Sequence, residues 1–200
     1  METALGSRQR SGGRNFQVAV DFPLPMCPGT TSDTLVSMPR VLILAYGNSL
    51  RSDDGVAWRA ADALEGTCSS EEIEIVTLHQ LGPELAESIS GSECVIFVDA
   101  AAGPGCPGDI QIKEVSESAS SDPPGFDHTL SPAHVLTLAA QLYNTQPRAF
   151  TATVVGRNFD HGESLSAPVG AAIPELVARI HELVSNFTNH KSHEVTQRKH

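Results

Sequence analysis

The fold of this chain is decided by the segment Arg40-Val-Leu-Ile-Leu-Ala-Tyr-Gly-Asn-Ser-Leu-Arg-Ser-Asp-Asp-Gly55. Its apolar half has the length of a β-strand and stops at Gly47 and Asn48. A short polar loop follows and ends in two adjacent carboxylates, Asp53 and Asp54. Beyond them, apolar residues recur at the three- and four-residue spacing of a helix. Strand, polar turn and helix in this order predict a unit that holds reactive groups at the carboxyl edge of a parallel sheet.

The loop in this segment is not of the phosphate-binding kind. It contains neither the G-x-x-x-x-G-K-[ST] pattern of a P-loop nor the G-x-G-x-x-G pattern of a dinucleotide site. It presents carboxylates instead of a glycine cradle. Carboxylates at such an edge suit a metal ion or a proton transfer.

Strands and helices alternate along the chain from Met38 onward. The periodicity predicts strands over 41–46, 72–78, 94–98, 109–115 and 149–155, and helices over 55–65, 83–89, 131–143 and 168–187. The apolar strand 94–98 is expected at the centre of the sheet, and the alternating strand 109–115 at an edge or in a hairpin. This order predicts a single α/β domain with a mostly parallel twisted sheet and helices on both faces.

The two ends of the chain differ from this domain in composition. Residues 1–37 mix Gly, Ser, Arg and Pro without sustained periodicity, so we predict a disordered N-terminal extension. The α/β domain then spans 38–187, and a polar, frayed tail spans 188–200. A second translation start at Met38, directly before the first strand, is a hypothesis that the N-terminal mass of the native protein tests.

Composition excludes several classes of protein. The net charge of −11 argues against a nucleic-acid surface, which needs clustered Lys and Arg. The longest apolar runs are of strand length, so no membrane span is expected, and no secretory signal is recognisable at the N-terminus. The four cysteines are scattered and form no C-x-x-C pair, which favours reduced thiols in a cytoplasmic protein. They are Cys27, Cys68, Cys94 and Cys106.

Three residues make the strongest candidate site: Asp54, Asp99 and His128. Asp54 follows the first predicted strand, Asp99 ends the third, and His128 stands just before the helix at 131–143. Because the carboxyl ends of parallel strands meet at one edge, we expect these side chains to lie together. Two carboxylates and one imidazole, with positions open for water or substrate, suit a divalent transition metal better than calcium.

Each candidate also has an ordinary structural interpretation. Asp53 and Asp54 precede a helix, where Asp commonly caps the N-terminus. An Asp at a strand end is commonly a turn former, and a loop histidine such as His128 is commonly solvated. The combination at one predicted edge favours function, with Asp53 beside the site as a loop-ordering carboxylate. His134 and His161 are interpreted as a surface side chain and a turn residue.

Four motifs carry a resemblance to a known family. They are Gly47-Asn-Ser-Leu-Arg-Ser-Asp-Asp-Gly55, Val98-Asp-Ala100, His128-Thr-Leu-Ser-Pro-Ala-His-Val-Leu136, and Val155-Gly156 followed by Gly162-Glu-Ser-Leu-Ser166. In order and spacing they resemble the hydrogenase maturation proteases, endopeptidases that trim the large subunit of nickel–iron hydrogenases. The motifs cover roughly residues 38–187. The family often has Glu at the position of Asp54, one methylene longer, and Thr or Ser at the position of Asp127.

The resemblance implies an α/β sheet, a cytoplasmic location and metal contacts by Asp54, Asp99 and His128. It also implies that nickel arrives with the substrate, a hydrogenase large-subunit precursor, whose C-terminal peptide is then removed. We expect no nucleic-acid or membrane partner and a monomeric protein.

Two questions stay open at the level of sequence. The metal could polarise the scissile carbonyl and activate a water molecule, or it could serve for recognition while a carboxylate such as Asp54 acts as general base. Two other functions compete with the peptidase. One is a non-catalytic checkpoint that binds the precursor after nickel insertion, and the other is an independent metal-dependent peptidase that needs no protein partner.

Overall fold

The computed structural model describes residues 40–68, 71–115 and 130–197, with side chains as far as residue 188. The predicted N-terminal extension, the start at Met38 and the candidate His128 lie outside the described residues.

The described residues form five strands and four α-helices. The strands are β1 Val41–Tyr46, β2 Ile73–Leu78, β3 Cys94–Ala101, β4 Ile110–Val115 and β5 Arg148–Val155. The helices are α1 Val56–Glu65, α2 Leu85–Ser90, α3 Pro132–Tyr143 and α4 Ala167–Gln197, and a 3-10 turn, Ser52–Gly55, precedes α1. The sheet order is β2-β1-β3-β5-β4, parallel except for the edge strand β4, which pairs antiparallel with β5. The predicted α/β fold with a mostly parallel sheet is confirmed.

The sheet is covered by helices on both faces, as predicted. Alternate residues of β1 point to opposite sides: Ile43 joins the core under α1 and α4, whereas Leu42 and Leu44 join the core under α2 and α3. Residues 41–45 of β1 and 94–98 of β3 are fully buried, which explains why both sequences are almost continuously apolar. Burial of each large aliphatic side chain contributes about 1.5–3 kcal/mol.

The prediction that the third strand stops at Val98 was wrong. β3 continues to Ala101 because β5 pairs with it over eight positions, the last being Ala101↔Val155. On the other side, β1 pairs with β3 only as far as Ala45↔Val98. Asp99 therefore lies inside β3, opposite Thr153 and just past the last position paired with β1.

The prediction that the last helix ends at residue 187 was also wrong. α4 runs on to Gln197 because no Gly or Pro interrupts the chain after Pro174. Lys, Glu and Gln, which favour helix, occur in this last part.

The structure describes three of the four cysteines. Cys68, Cys94 and Cys106 are free thiols, and Cys94 is buried in the core. In the same ranges, no helix combines the length and the apolar character that crossing a bilayer requires.

Candidate active site

The turn after β1 folds back onto Asp54. The Asn48 backbone N–H donates to Asp54 Oδ2 at 2.9 Å, and Asn48 Oδ1 accepts from the Leu50 N–H at 2.9 Å. Gly47 has a φ of 140°, and a Cβ at this position would lie 2.3 Å from the backbone oxygen of Asp54. Only glycine allows this close approach, so Gly47 sets the position of the Asp54 carboxylate.

Replacing Gly47 with alanine is expected to destabilise the protein and to displace Asp54. The positive φ alone costs about 1–3 kcal/mol, and the clash is with backbone, which cannot rotate away. Urea unfolding measures the loss. Gly103→Ala is the matched control, because a Cβ there meets nothing within 4 Å. Equal stabilities of the two variants would contradict this account of the turn.

Asp53 ties the β1–α1 loop to the β5–α4 loop. Its carboxylate is fully buried and accepts hydrogen bonds from the backbone of Arg157 (2.8 Å), Asn158 (2.9 Å) and Ser166 (2.6 Å), and from Ser166 Oγ (2.9 Å). Burial by itself raises the pKa of Asp53, but these hydrogen bonds outweigh it and hold the pKa below its usual range. The prediction of a loop-ordering carboxylate is confirmed. The alternative interpretation, that Asp53 and Asp54 cap a helix, is not confirmed, because no side-chain hydrogen bond caps the 3-10 turn or α1.

Asp99 is paired with a tyrosine on the neighbouring strand. The Tyr46 hydroxyl donates to the Asp99 carboxyl group, and the Ala100 N–H donates to Asp99 Oδ1 at 2.7 Å. Burial raises the pKa of Asp99 to about 7, with a smaller contribution from the negative charge of Asp54, and the two hydrogen bonds oppose the rise. Burial and the charge of Asp99 raise the pKa of Tyr46 as well, so the phenol remains a donor.

The shifted pKa of Asp99 predicts its titration in the metal-free protein. The carboxyl carbon of Asp99, followed by NMR, is expected to titrate with a midpoint near 7. Tyr46→Phe removes a hydrogen bond to the ionised form, so the midpoint of Asp99 should rise further in that variant. A midpoint near the usual value of about 4 would contradict the buried environment described here.

Asp54 and Asp99 line one open cleft at the carboxyl edge of the sheet. The cleft has a volume of about 500 Å³, and the start of α3, with Ser131 and Pro132, forms part of its wall. The structure thus brings two of the three predicted site residues together. Within the described ranges, no three His, Cys, Asp or Glu side chains group closely enough to hold a metal ion. The third member, His128, stays a prediction, three residues before Ser131.

The cleft also contains residues that the sequence analysis missed. Tyr46 and His79 both line it. His79 directly follows β2, and its ring lies 5.3 Å from that of Trp58, whose Nε1 donates to the Gly47 oxygen at 2.9 Å. The signal was present in the sequence: His79 follows a predicted strand in the same way that Gly47 follows the first one.

His134 and the turn that contains His161 do not line the cleft. His134 Nδ1 lies 2.9 Å from Ser131 Oγ, and the His134 backbone N–H donates to the same oxygen, so Ser131 is the N-cap of α3. The Asp160 N–H donates to Asn158 Oδ1, and the Asp160 backbone oxygen accepts from Ser52 Oγ. The turn at residues 160–162 therefore packs against the β1–α1 loop.

No known family profile and no curated protein sequence matches this chain. Solved structures do. The hydrogenase maturating endopeptidase HybD from E. coli superposes with a TM-score of 0.62 at 22% identity, covering 74% of this chain and 93% of that one. The chain has the fold of the hydrogenase maturation endopeptidases.

Other solved structures with this endopeptidase fold also superpose on the chain. The [NiFe] hydrogenase maturation protease HybD from Thermococcus kodakarensis matches with a TM-score of 0.57 at 24% identity, over 72% of this chain and 98% of that chain. The hydrogenase 2 maturation peptidase from a Thaumarchaeota archaeon gives 0.56 at 20% identity, over 72% and 97%. This chain therefore contains nearly the whole endopeptidase fold, with Asp54 and Asp99 at the carboxyl edge of its sheet.

Proposed function

We propose that this chain is an endopeptidase that removes the C-terminal peptide from the large-subunit precursor of a nickel–iron hydrogenase after nickel insertion. The observation that carries the proposal is the pair of carboxylates, Asp54 and Asp99, in one cleft of a hydrogenase maturation endopeptidase fold. The described chain has no disulfide, and its sequence contains no phosphate loop and no serine-hydrolase elbow. The pair of carboxylates is therefore the best candidate for the reactive group.

The two carboxylates have different environments, which suits different tasks. Asp54 is half-buried and is held by the Asn48 N–H, so it offers a carboxyl oxygen of fixed orientation to a cation. Asp99 has a pKa of about 7, so near neutral pH it can both accept and return a proton.

We assign the contacts to the nickel carried by the precursor to Asp54, Asp99 and His128, the oxygen, oxygen and nitrogen set of the sequence analysis. Nickel is part of the substrate in this proposal. The chain itself supplies the positions of the carboxylates, the donor Tyr46 beside Asp99 and an open cleft of about 500 Å³. Hydrolysis then needs one group to take a proton from water and one to give a proton to the leaving amine.

The experiment that tests the proposal compares three substrates by intact mass. They are the nickel-loaded precursor, the nickel-free precursor and a set of short peptides. Loss of a C-terminal peptide only from the nickel-loaded precursor is the expected result. Binding without a change in mass would instead identify a checkpoint protein, and cleavage of the short peptides would identify an independent peptidase.

A further inference from the structure

Arg51 brings a positive charge to the wall of the cleft. The cleft is lined by the carboxyl groups of Asp54 and Asp99. Among the described residues of its wall, Arg51 is the only one with a permanent positive charge. It belongs to the loop between β1 and the 3-10 turn, three residues before Asp54. The proposed nickel contact and proton transfer do not use this guanidinium.

The backbone of Arg51 is held on both sides. Its N–H donates to the Asn48 oxygen at 2.9 Å, and its carbonyl oxygen accepts from the Asp54 N–H at 3.1 Å. Arg51 also forms a parallel β-bridge with Gly162, whose oxygen accepts from the neighbouring Ser52 N–H at 2.7 Å. The side chain of Arg51 therefore starts from a defined position relative to Asp54.

The guanidinium is anchored at one nitrogen and open at the other two. Arg51 Nε donates to the Phe159 oxygen at 3.2 Å, which orients the plane of the group. A guanidinium has five N–H donors, so four remain on Nη1 and Nη2. In the part of the chain that the structure describes, no carboxylate pairs with them, whereas Arg40, Arg148 and Arg179 each pair with a glutamate. The two Nη groups are therefore available to a ligand.

The ligand that matches two such nitrogens is a carboxylate. Two parallel N–H···O bonds between one guanidinium and one carboxylate give this pair both strength and a defined geometry. An acidic group that enters the cleft also meets the negative charge of Asp54, and the charge of Arg51 offsets this repulsion. Because Nε is already held by Phe159, binding costs less side-chain entropy than it would for a free surface arginine.

We infer that Arg51 binds the carboxylate of an Asp or Glu side chain in the precursor segment that occupies the cleft, and so contributes to the choice of substrate. This inference rests on the proposed function, because the ligand is part of the precursor. An interaction that is made equally before and in the transition state changes KM and leaves kcat unaltered. Arg51 is therefore a residue of substrate binding, and the chemical step does not depend on it.

The test measures KM and kcat for cleavage of the nickel-loaded precursor by the full chain. Arg51→Gln keeps the backbone and a polar side chain, and it should raise KM by about 10-fold or more with kcat within about 2-fold of wild type. Arg51→Lys keeps the charge but loses the paired donors, so its KM should lie between the two. Arg59→Ala is the matched control and should behave as wild type, because it removes an exposed arginine of α1 that does not line the cleft.

A second set of precursors identifies the partner carboxylate. Each Asp or Glu near the cleaved bond is replaced in turn by Asn or Gln. One of these changes should raise KM for wild type as much as Arg51→Gln does, and it should have no further effect when the two are combined. Additive effects at every position, an unchanged KM in Arg51→Gln, or a lower kcat at unchanged KM would overturn the inference.

The same variants separate this inference from the proposed function. If wild type binds the nickel-loaded precursor but leaves its mass unchanged, the proposed cleavage fails, and the dissociation constant then replaces KM as the measure of Arg51. A dissociation constant about 10-fold or more higher in Arg51→Gln would still support the inference. An equal dissociation constant, or no binding by wild type, would overturn it.

Discussion

Asp54→Ala is expected to lower kcat/KM for cleavage of the nickel-loaded precursor by about 10²- to 10⁴-fold, the range typical for loss of a group acting on the reacting atoms. Asp54 lines the cleft beside Asp99, and its orientation is fixed by the Asn48 N–H. The alanine variant keeps Gly47 and Asn48, so the turn itself should persist. Rates are measured by the intact mass of the precursor over time.

Two further variants serve as controls for this prediction. Asp62→Ala removes an exposed carboxylate from α1 and should leave the rate unchanged. Asp54→Glu keeps a carboxylate on a side chain one methylene longer, and Glu is the residue that the hydrogenase maturation proteases often have at this position. Its cleavage rate should lie within about 10-fold of the wild-type rate. Cleavage by Asp54→Ala at the wild-type rate would show that Asp54 is not part of the reactive site.

The largest effect on stability is expected for Asp53→Ala. The carboxylate of Asp53 accepts four hydrogen bonds in a fully buried position. Removing it leaves three backbone N–H groups and a hydroxyl without their acceptor, and each unsatisfied buried group costs about 1–3 kcal/mol. We expect the free energy of unfolding to fall by at least about 3 kcal/mol, measured by urea denaturation. Asp109→Ala, which removes an exposed acceptor of one N–H, should lose far less.

The low pKa of Asp53 gives this stabilisation a definite pH dependence. Because the folded-state pKa lies below the unfolded value of about 3.9, the stabilisation is present above that value and is lost as the pH falls through the folded-state pKa. The difference in unfolding free energy between wild type and Asp53→Asn should therefore shrink on acidification below about pH 4. A difference that stays constant down to pH 2 would contradict the assignment.

The arrangement of the sheet was largely predictable from the chain. The apolar runs of β1 and β3 have no polar face, which places them at the centre, and the alternation in β4 places it at the edge. The length of β3 was not predictable, because residues 99–101 are held by pairing with β5, more than 50 positions later. The extent of α4 was missed because its last turns lack a regular apolar face, although nothing in them stops a helix.

The positions of the two site carboxylates could be predicted from the sequence, but the residues that surround them could not. Asp54 and Asp99 stand at positions where a parallel sheet collects functional groups. The role of Asp53 depends on partners more than 100 residues away, and only their general neighbourhood could be foreseen. In the sequence, Tyr46 is the last residue of an apolar run, and the pattern predicts only that it belongs to a strand. Its contact with Asp99 follows from the register of β1 against β3, which no local pattern reveals.

The most direct test of the central claim is the intact mass of a nickel-loaded hydrogenase large-subunit precursor after incubation with this chain and with an Asp54→Ala, Asp99→Ala double variant. The account predicts loss of a single C-terminal peptide with wild type and an unchanged mass with the double variant. An unchanged mass with wild type, or the same loss with the double variant, would contradict it.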